Sequence, residues 1–248
     1  MPDKVGIIIQ ARYTSNRLQG KSLMMLGSST LIQHVYTNAS KSKYIDECVV
    51  AIPDNKENSI LEKFLKKNSI PFITGSEDNL IDRHLKVAER LNLNFIVRVP
   101  GDNPFPHATE IDRIIEHHLA HNREGFSTNL SPVFESGYPD GIGAEIFSID
   151  RLLELDQEKS DACKLEHLHL NFLDYKSQIS CGKVMVSTIK CPSEFARPDI
   201  RLDINTRLDY DYFCEMFKYF GKSQFDIRDI IFWHDNFAMK NSNLRMRN

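Results

Sequence analysis

The stretch from Val5 to Lys21, VGIIIQARYTSNRLQGK, decides the fold class of this 248-residue chain. Its first residues, VGIII, form a continuous apolar run, which is typical of a β-strand buried on both faces. The run leads at once into a polar loop that carries three cations, Arg12, Arg17 and Lys21. A buried strand followed by such a loop predicts a parallel sheet with a ligand site at the carboxyl end of the strand.

Strand and helix patterns alternate along the first half of the chain, which predicts a mostly parallel sheet with helices on both faces. The chain is expected to form a single domain over residues 1–248. From about residue 129 the pattern becomes rich in turns, so residues 129–198 are expected to form an inserted lobe that covers the ligand site or meets a second subunit. The expected strands are 5–10, 47–52, 71–74, 94–99, 144–148, 183–189 and 199–204, and the expected helices are 31–35, 60–67, 78–91, 108–121, 150–155, 163–175 and 208–220.

Composition gives no global reason to expect nucleic acid or a membrane surface as a partner. Basic and acidic residues number 31 and 34, for a net charge of −3, and a nearly balanced chain lacks a field that would attract a polyanion. The apolar run near the N-terminus is too short for a signal-peptide core or a membrane span. The 5 cysteines are scattered, which favours reduced thiols and predicts a cytoplasmic protein.

Two segments carry chemistry, and both follow predicted strands. The loop from Arg12 to Lys21 has the cations that a triphosphate and a departing pyrophosphate require, although an ordinary solvated loop has the same composition. Asp102, in PGDNP, follows the strand predicted at 94–99. A carboxylate there suits Mg²⁺ bound beside phosphates, and a simple turn residue is the alternative. Because both segments lie at strand ends, they are expected to face one crevice.

The two segments together resemble the signature of a known family. IIIQARYTSNRLQGKSLMMLGSSTLIQHV (residues 7–35) resembles the nucleotide-binding motif of sugar cytidylyltransferases, which include CMP-Kdo synthetases, acylneuraminate cytidylyltransferases and SpsF-type spore-coat polysaccharide proteins. PGDNP (100–104) resembles the metal motif of this family. GSEDNLIDR (75–83) and YPDG (138–141) resemble motifs of its SpsF branch. The resemblance implies a Rossmann-like three-layer α/β sandwich of the nucleotide-diphospho-sugar transferase type, with a small dimerisation and substrate lobe.

The resemblance also implies roles for individual residues. The family transfers CMP from CTP to an acidic sugar and releases pyrophosphate, with Mg²⁺ as cofactor. Arg12, Lys21 and Asp102 match the catalytic positions, and Asp102 matches the metal ligand. The expected CTP-binding residues are Ala11, Arg12, Ser15, Arg17, Lys21, Leu80, Asp82, Arg83 and Asp102.

One departure from the family pattern bears on the metal site. The segment RLDINT (201–206) resembles a late family motif, but Asn205 stands where the second metal-binding aspartate is expected. Asp203 lies two residues earlier, so on a strand its side chain would face the same way. Either residue is a candidate for the second metal contact. Asp209 is expected to cap or stabilise the following helix.

The acceptor is expected to contact the 129–198 lobe. Tyr138, Asp140, Glu166 and His167 are candidates by resemblance, and Arg201 or Arg197 is a candidate partner for the carboxylate of the sugar. A homodimer is expected as well. Two other functions remain open: a glycosyltransferase of similar fold that uses a nucleotide-sugar donor, and a non-catalytic nucleotide-binding homologue. The identity of the sugar and the strictness of base selection also remain open.

Overall fold

The computed structural model describes residues 3–157, 162–181, 184–222 and 224–238, and over these ranges it follows the expected alternation closely. The strands are β1 (Val5–Gln10), β2 (Met25–Leu26), β3 (Ser29–Thr30), β4 (Glu47–Pro53), β5 (Phe72–Gly75), β6 (Phe95–Pro100), β7 (Phe126–Thr128), β8 (Glu145–Ser148), β9 (Leu173–Asp174), β10 (Ile179–Ser180) and β11 (Val186–Ser187). The α-helices are α1 (Leu31–Ala39), α2 (Ser59–Lys67), α3 (Leu80–Leu91), α4 (Ala108–His121), α5 (Ile149–Gln157), α6 (Ala162–Glu166), α7 (Arg207–Phe220) and α8 (Ile227–Trp233).

A seven-stranded sheet in the order β11-β7-β8-β6-β1-β4-β5 forms the centre of the molecule. Its pairs are parallel except for those that β8 makes with β6 and β7, so β8 alone runs in the opposite direction. The chain leaves β1 toward β4 and β5 and later returns to the other side of β1 through β6. Strand order therefore reverses at the β1–β6 pair, and such a switch point opens a crevice at the carboxyl edge of the sheet.

Side chains of alternate residues in the central strands pack into two separate apolar layers, one on each face of the sheet. This confirms the three-layer Rossmann-like sandwich. Ile7 and Ile9 face the layer covered by α1, α2, α4, α7 and α8. Ile8, between them, faces the layer covered by α3 and α5. This period of two places helices on both faces of the sheet, as the long apolar run of β1 requires.

Side-chain caps begin α1, α3 and α7. Thr30 caps α1 with a capping box completed by Gln33. The side-chain oxygen of Asn79 accepts a hydrogen bond from the backbone N–H of Asp82 and begins α3. Asp209 completes a capping box with Thr206 at the start of α7, so the expectation that Asp209 stabilises this helix is confirmed.

Two expected elements are wrong. The helix expected over 163–175 is broken into α6, a 3₁₀ turn at Leu168–Asn171 and β9. The side-chain amide of Asn171 donates to the backbone carbonyl oxygens of Lys164 and Leu168, which holds the chain in this broken path. In place of the strand expected over 199–204, Asp199 lies in a turn and the residues after it form one isolated bridge, between Asp140 and Arg201.

The segment 129–198 contributes to the main sheet as well as lying outside it. Its β8 pairs with β6 and β7, and its β11 pairs with β7 at the sheet edge. β7, at 126–128, is an element that the sequence patterns missed, and β11 is shorter than expected. Among the described residues, no helix combines the length and the apolar character that crossing a membrane requires.

Candidate active site

A crevice of about 480 Å³ opens at the carboxyl ends of β1 and β6. It joins the two segments that the sequence singled out, because the loop after β1 and the loop after β6 both contribute to its wall. The α3 helix and the end of α6 complete the wall. The described residues that line it are Gln10, Ala11, Arg12, Ser15, Asn16, Arg17, Lys21, Ser22, Glu77, Leu80, Arg83, Arg98, Pro100, Gly101, Asp102, Glu166 and His167.

The loop after β1 is fixed by hydrogen bonds to its own backbone and to a neighbouring turn. Gly20 takes a left-handed conformation, with φ of 71°, and its N–H donates to the carbonyl oxygen of Tyr13 at 2.9 Å. The hydroxyl of Ser22 donates to the carbonyl oxygen of Arg12 at 2.9 Å. The N–H of Tyr13 donates to Asn58 Oδ1 at 2.7 Å. The loop thus holds its cations in a set position before any ligand arrives.

The loop after β6 touches the loop after β1 at a glycine. The N–H of Gly101 donates to the carbonyl oxygen of Gln10 at 2.9 Å. A β-carbon on residue 101 would lie only 2.6 Å from that same oxygen, so the approach requires glycine. It brings Asp102 beside Lys21.

The Lys21 ammonium is the centre of the site. Its Nζ donates to Asp102 Oδ2 at 3.0 Å, to the carbonyl oxygen of Ile204 at 2.9 Å and to Asn205 Oδ1 at 3.2 Å. Three hard oxygen donors are therefore directed at one cation, in the way that would also suit Mg²⁺. The described residues contain no group of three or more His, Cys, Asp and Glu side chains arranged to hold a metal by themselves. The donors thus fit an ion that takes its remaining ligands from phosphates and water.

Asn205 is oriented by its neighbours on both sides. Its Oδ1 accepts from Arg17 Nη2 at 2.7 Å as well as from Lys21. Its Nδ2 donates to Asp203, whose carboxylate also accepts from Arg201 Nη2 at 3.1 Å. The amide oxygen of Asn205 therefore shares Lys21 with Asp102, whereas Asp203 lies behind Asn205 and orients it.

Arg12 and Ser15 occupy the mouth of the crevice. Arg12 Nη2 lies 3.3 Å from Glu166 Oε1, and both side chains are about half exposed, at 44% and 56%. The hydroxyl of Ser15 accepts a bond of 3.4 Å from the N–H of Leu18. The Arg12–Glu166 pair spans the crevice from the β1 loop to α6, so an anion that takes Arg12 must compete with Glu166.

Arg83 is a buried cation on α3, 2% exposed. Its Nε donates to the carbonyl oxygen of Ser76 at 2.6 Å and its Nη2 to that of Glu77 at 2.8 Å. Burial, together with the nearby charge of Arg12, lowers the pKa of Arg83 to about 10. Leu80 lines the crevice with it, whereas the exposed Asp82 is not among the described lining residues.

The residues proposed for the acceptor fall into two groups. Glu166 and His167 line the crevice. Tyr138 does not: it is fully buried, and its hydroxyl donates to Glu110 Oε2 at 2.6 Å. Asp140 accepts from the hydroxyl of Ser131 at 2.7 Å and lies 3.6 Å from Arg201 Nε, outside the lining. Burial raises the pKa of Asp140, and the Ser131 hydrogen bond partly offsets this rise.

Arg98 lines the crevice and was missed by the sequence patterns. Gln10 also lines it, and it begins the segment that the patterns singled out but was given no role there. Arg98 is 7% exposed and stands in the apolar strand FIVRVP. Its Nε donates to Gln10 Oε1 at 2.9 Å and its Nη1 to the fully buried Glu145 at 2.6 Å. An arginine inside an apolar strand needs a buried partner, and that mismatch was the available signal.

Known proteins share this sequence pattern. A family model described as cytidylyltransferase matches residues 6–167, a range that includes the crevice lining. The spore coat polysaccharide biosynthesis protein SpsF of Bacillus subtilis is 30% identical over 221 residues, which cover 87% of this chain and 87% of that protein.

Solved structures share the fold. A cytidylyltransferase from Leptospira borgpetersenii serovar Hardjo-bovis superposes with a TM-score of 0.82 at 27% identity, covering 99% of this chain and 98% of that one. A CMP:2-keto-3-deoxy-manno-octonic acid synthetase, solved in complex with CTP, has a TM-score of 0.62 at 18% identity and covers 88% of this chain and 99% of its own.

Proposed function

The chain belongs to the cytidylyltransferase family, and we propose that it transfers CMP from CTP to a hydroxyl group of an acidic sugar, with release of pyrophosphate. An acidic sugar is the substrate named for the octonic acid synthetase that shares the fold. A role in making surface polysaccharide is supported by the name of the SpsF relative.

The observation that carries the proposal is the bond between Lys21 and Asp102 across the crevice. It joins the cationic loop after β1 to the carboxylate after β6, so a triphosphate and a metal ion would meet at one point. Lys21, Arg12 and Arg17 supply fixed positive charge for the phosphates. A site of this kind lowers the barrier mainly by positioning and by neutralising charge on the leaving pyrophosphate.

We propose that the cofactor is Mg²⁺, held by Asp102 with the amide oxygen of Asn205 as the nearest further donor. When bound, the ion would neutralise phosphate charge and polarise the α-phosphate. Lys21 would then turn from Asp102 to the phosphates, and Arg12 would leave Glu166 to do the same. Leu80 and Arg83 would hold the nucleoside against α3. Glu166 and His167 would contact the acceptor, since both lie on the crevice wall.

The decisive experiment is a pyrophosphate-release screen of the four nucleoside triphosphates against a panel of acidic sugars, with Mg²⁺. CTP with one acid is expected to give pyrophosphate and a CMP-sugar in equal amounts. Release of a nucleoside mono- or diphosphate from a nucleotide sugar would instead favour a glycosyltransferase. Binding of CTP without any turnover would favour a non-catalytic homologue.

We further propose that the protein is a homodimer that works in the cytoplasm. Exposed apolar side chains in the 129–198 segment, Ile179 at 65% and Met185 at 60%, support a subunit contact there. The cysteines, Cys48, Cys163, Cys181, Cys191 and Cys214, are free thiols, which suits a reducing compartment. Light scattering of the purified chain tests the dimer, because a monomer mass would exclude it.

A further inference from the structure

The arginines that the sequence offered for the carboxylate of the acceptor are engaged elsewhere. Arg197 pairs with Asp199 at 2.7 Å and with Asp235 at 2.6 Å. Arg201 lies 3.6 Å from Asp140. Neither arginine is among the described residues that line the crevice. A carboxylate bound in the crevice would therefore meet other cations.

The cations that do line the crevice differ in where they stand on the sheet. Arg12, Arg17 and Lys21 belong to the loop after β1, and Arg83 belongs to α3, which packs over β4 and β5. Arg98 stands on β6, which pairs with β1 on one side and with β8 on the other. It is thus the lining cation on the β8 side of the phosphate loop.

The Arg98 guanidinium is fixed at two of its three nitrogens. Gln10 holds its Nε, and Glu145 holds its Nη1. Glu145 is itself held by the hydroxyl of Tyr175, which donates to its Oε1 at 2.5 Å. The remaining nitrogen, Nη2, has no hydrogen-bond partner in the described part of the chain, and the side chain borders the crevice. Nη2 alone offers two N–H donors to a ligand.

Burying an arginine–glutamate pair carries a desolvation free energy that an apolar pair of similar size does not. Removing two charges from water costs several kcal/mol per ion, and apolar side chains of similar size often replace such a pair without loss of stability. The surrounding strand is apolar, so packing alone would favour an aliphatic residue at 98. A fixed guanidinium with an unused edge on a crevice wall is instead suited to bind a carboxylate.

We infer that Arg98 binds the carboxylate of the acidic acceptor, and that Gln10 and Glu145 hold its guanidinium in place for this contact. The inference rests on the proposed function, since it names the residue by which the acceptor half of that site selects an acid. Arg98 is then a specificity residue, and Glu145 is a positioning residue that acts through it.

The test compares an acid with its neutral analogue. The probes are 2-keto-3-deoxy-manno-octonic acid, or the acid that the screen selects in its place, and the carboxamide of the same sugar. The wild-type protein is expected to prefer the acid by about 10- to 100-fold in kcat/KM, the size of a hydrogen bond to a charged group. The double variant Arg98→Gln/Glu145→Gln removes both charges, so no unpaired charge stays buried. It is expected to lose that preference while its KM for CTP stays unchanged.

A matched control exists in the same molecule. Arg113 donates to Glu110 at 2.5 Å, and Tyr138 donates to the same carboxylate, so this trio repeats the chemistry of Arg98, Glu145 and Tyr175. Arg113 and Glu110 are not among the described lining residues. Arg113→Gln/Glu110→Gln is expected to keep the wild-type preference for the acid.

The possible outcomes separate the inference from the function on which it rests. An active wild-type protein whose Arg98→Gln/Glu145→Gln variant still prefers the acid, or loses acid and amide activity equally, overturns the inference and leaves the proposed function intact. A wild-type protein that releases no pyrophosphate with any acid overturns both. If the double variant gives no cooperative thermal unfolding, Arg98→Lys decides. It is expected to bind the acid less well than arginine does, and an unchanged ratio would overturn the inference.

Discussion

Replacing Gly101 by alanine is expected to push the two loops of the active site apart. A β-carbon at this position would lie 2.6 Å from the carbonyl oxygen of Gln10 and 2.9 Å from the β-carbon of Ala11. Nonbonded carbon contacts are normally about 3.5–4.0 Å long. The end of β6 and the end of β1 must therefore separate by roughly 1 Å to admit the methyl group.

This displacement acts on stability and on catalysis to different extents. Adding a methyl group to a packed site costs about 1–3 kcal/mol of the free energy of unfolding. The same shift moves Asp102 away from Lys21, whose atoms are 3.0 Å apart in the native site. A misplacement of about 1 Å in a reacting geometry lowers the rate by roughly 100-fold. The expected result is a folded protein with kcat/KM reduced about 100-fold.

The matched control is Gly221→Ala, at the end of α7. Gly221 has a φ of 59°, and in the described part of the chain no neighbouring atom lies within 4 Å of an added β-carbon. Alanine in this left-handed conformation costs about 1–2 kcal/mol, so the two variants lose similar stability by different routes. Thermal unfolding and pyrophosphate release are measured on both. A Gly101→Ala variant with wild-type kcat/KM, or a Gly221→Ala variant equally impaired, would refute the reasoning.

Three further predictions follow from the site and from the thiols. Asp102→Asn is expected to lower pyrophosphate release by about 100- to 1,000-fold because it removes the charge that we propose holds Mg²⁺, while the thermal unfolding midpoint stays close to that of the wild type. Full activity would remove Asp102 from the proposed metal role. Glu166→Gln releases Arg12 from an exposed ion pair, so the KM for CTP is expected to fall by about 2- to 3-fold, and a rise in KM would show that Glu166 helps to bind the nucleotide. Cys163 is exposed, whereas Cys48 is partly buried and burial raises its pKa to about 12. At pH 8 a thiol reagent is therefore expected to modify Cys163 faster than Cys48 in the folded protein, and equal rates would contradict this.

The sequence predicted the central strands and helices because their patterns were both local and long. α4 begins and ends at the expected residues, and β1 does as well. At 199–204 the alternation of apolar and polar residues correctly predicts which side chains are buried, since Ile200, Leu202 and Ile204 all are. A period of two shows which side chains face inward. It does not show whether a neighbouring strand is available to pair with the backbone.

Such local patterns could not predict side-chain contacts between residues that lie far apart in sequence. Arg98 meets Glu145 across the β6–β8 pair, and that pairing depends on β8 joining the sheet in the reverse direction. The same holds for Lys21 and Asn205, which lie 184 positions apart. Motif resemblance brought Lys21 and Asp102 into one hypothesis, but only the folded chain shows which oxygen atoms share the ammonium.

Charge balance in the crevice gives a physical reason for an asparagine at 205. Among the described lining residues, five cations, Arg12, Arg17, Lys21, Arg83 and Arg98, stand against three carboxylates, Glu77, Asp102 and Glu166. An aspartate at 205 would form ion pairs with Arg17 and Lys21. Its negative charge would neutralise part of the positive charge that we propose binds the phosphates. It would also place a carboxylate beside Asp203, which now accepts a hydrogen bond from the Asn205 amide. The amide therefore keeps an oxygen directed at the central cation, retains the hydrogen bond to Asp203, and leaves the excess positive charge free for the triphosphate.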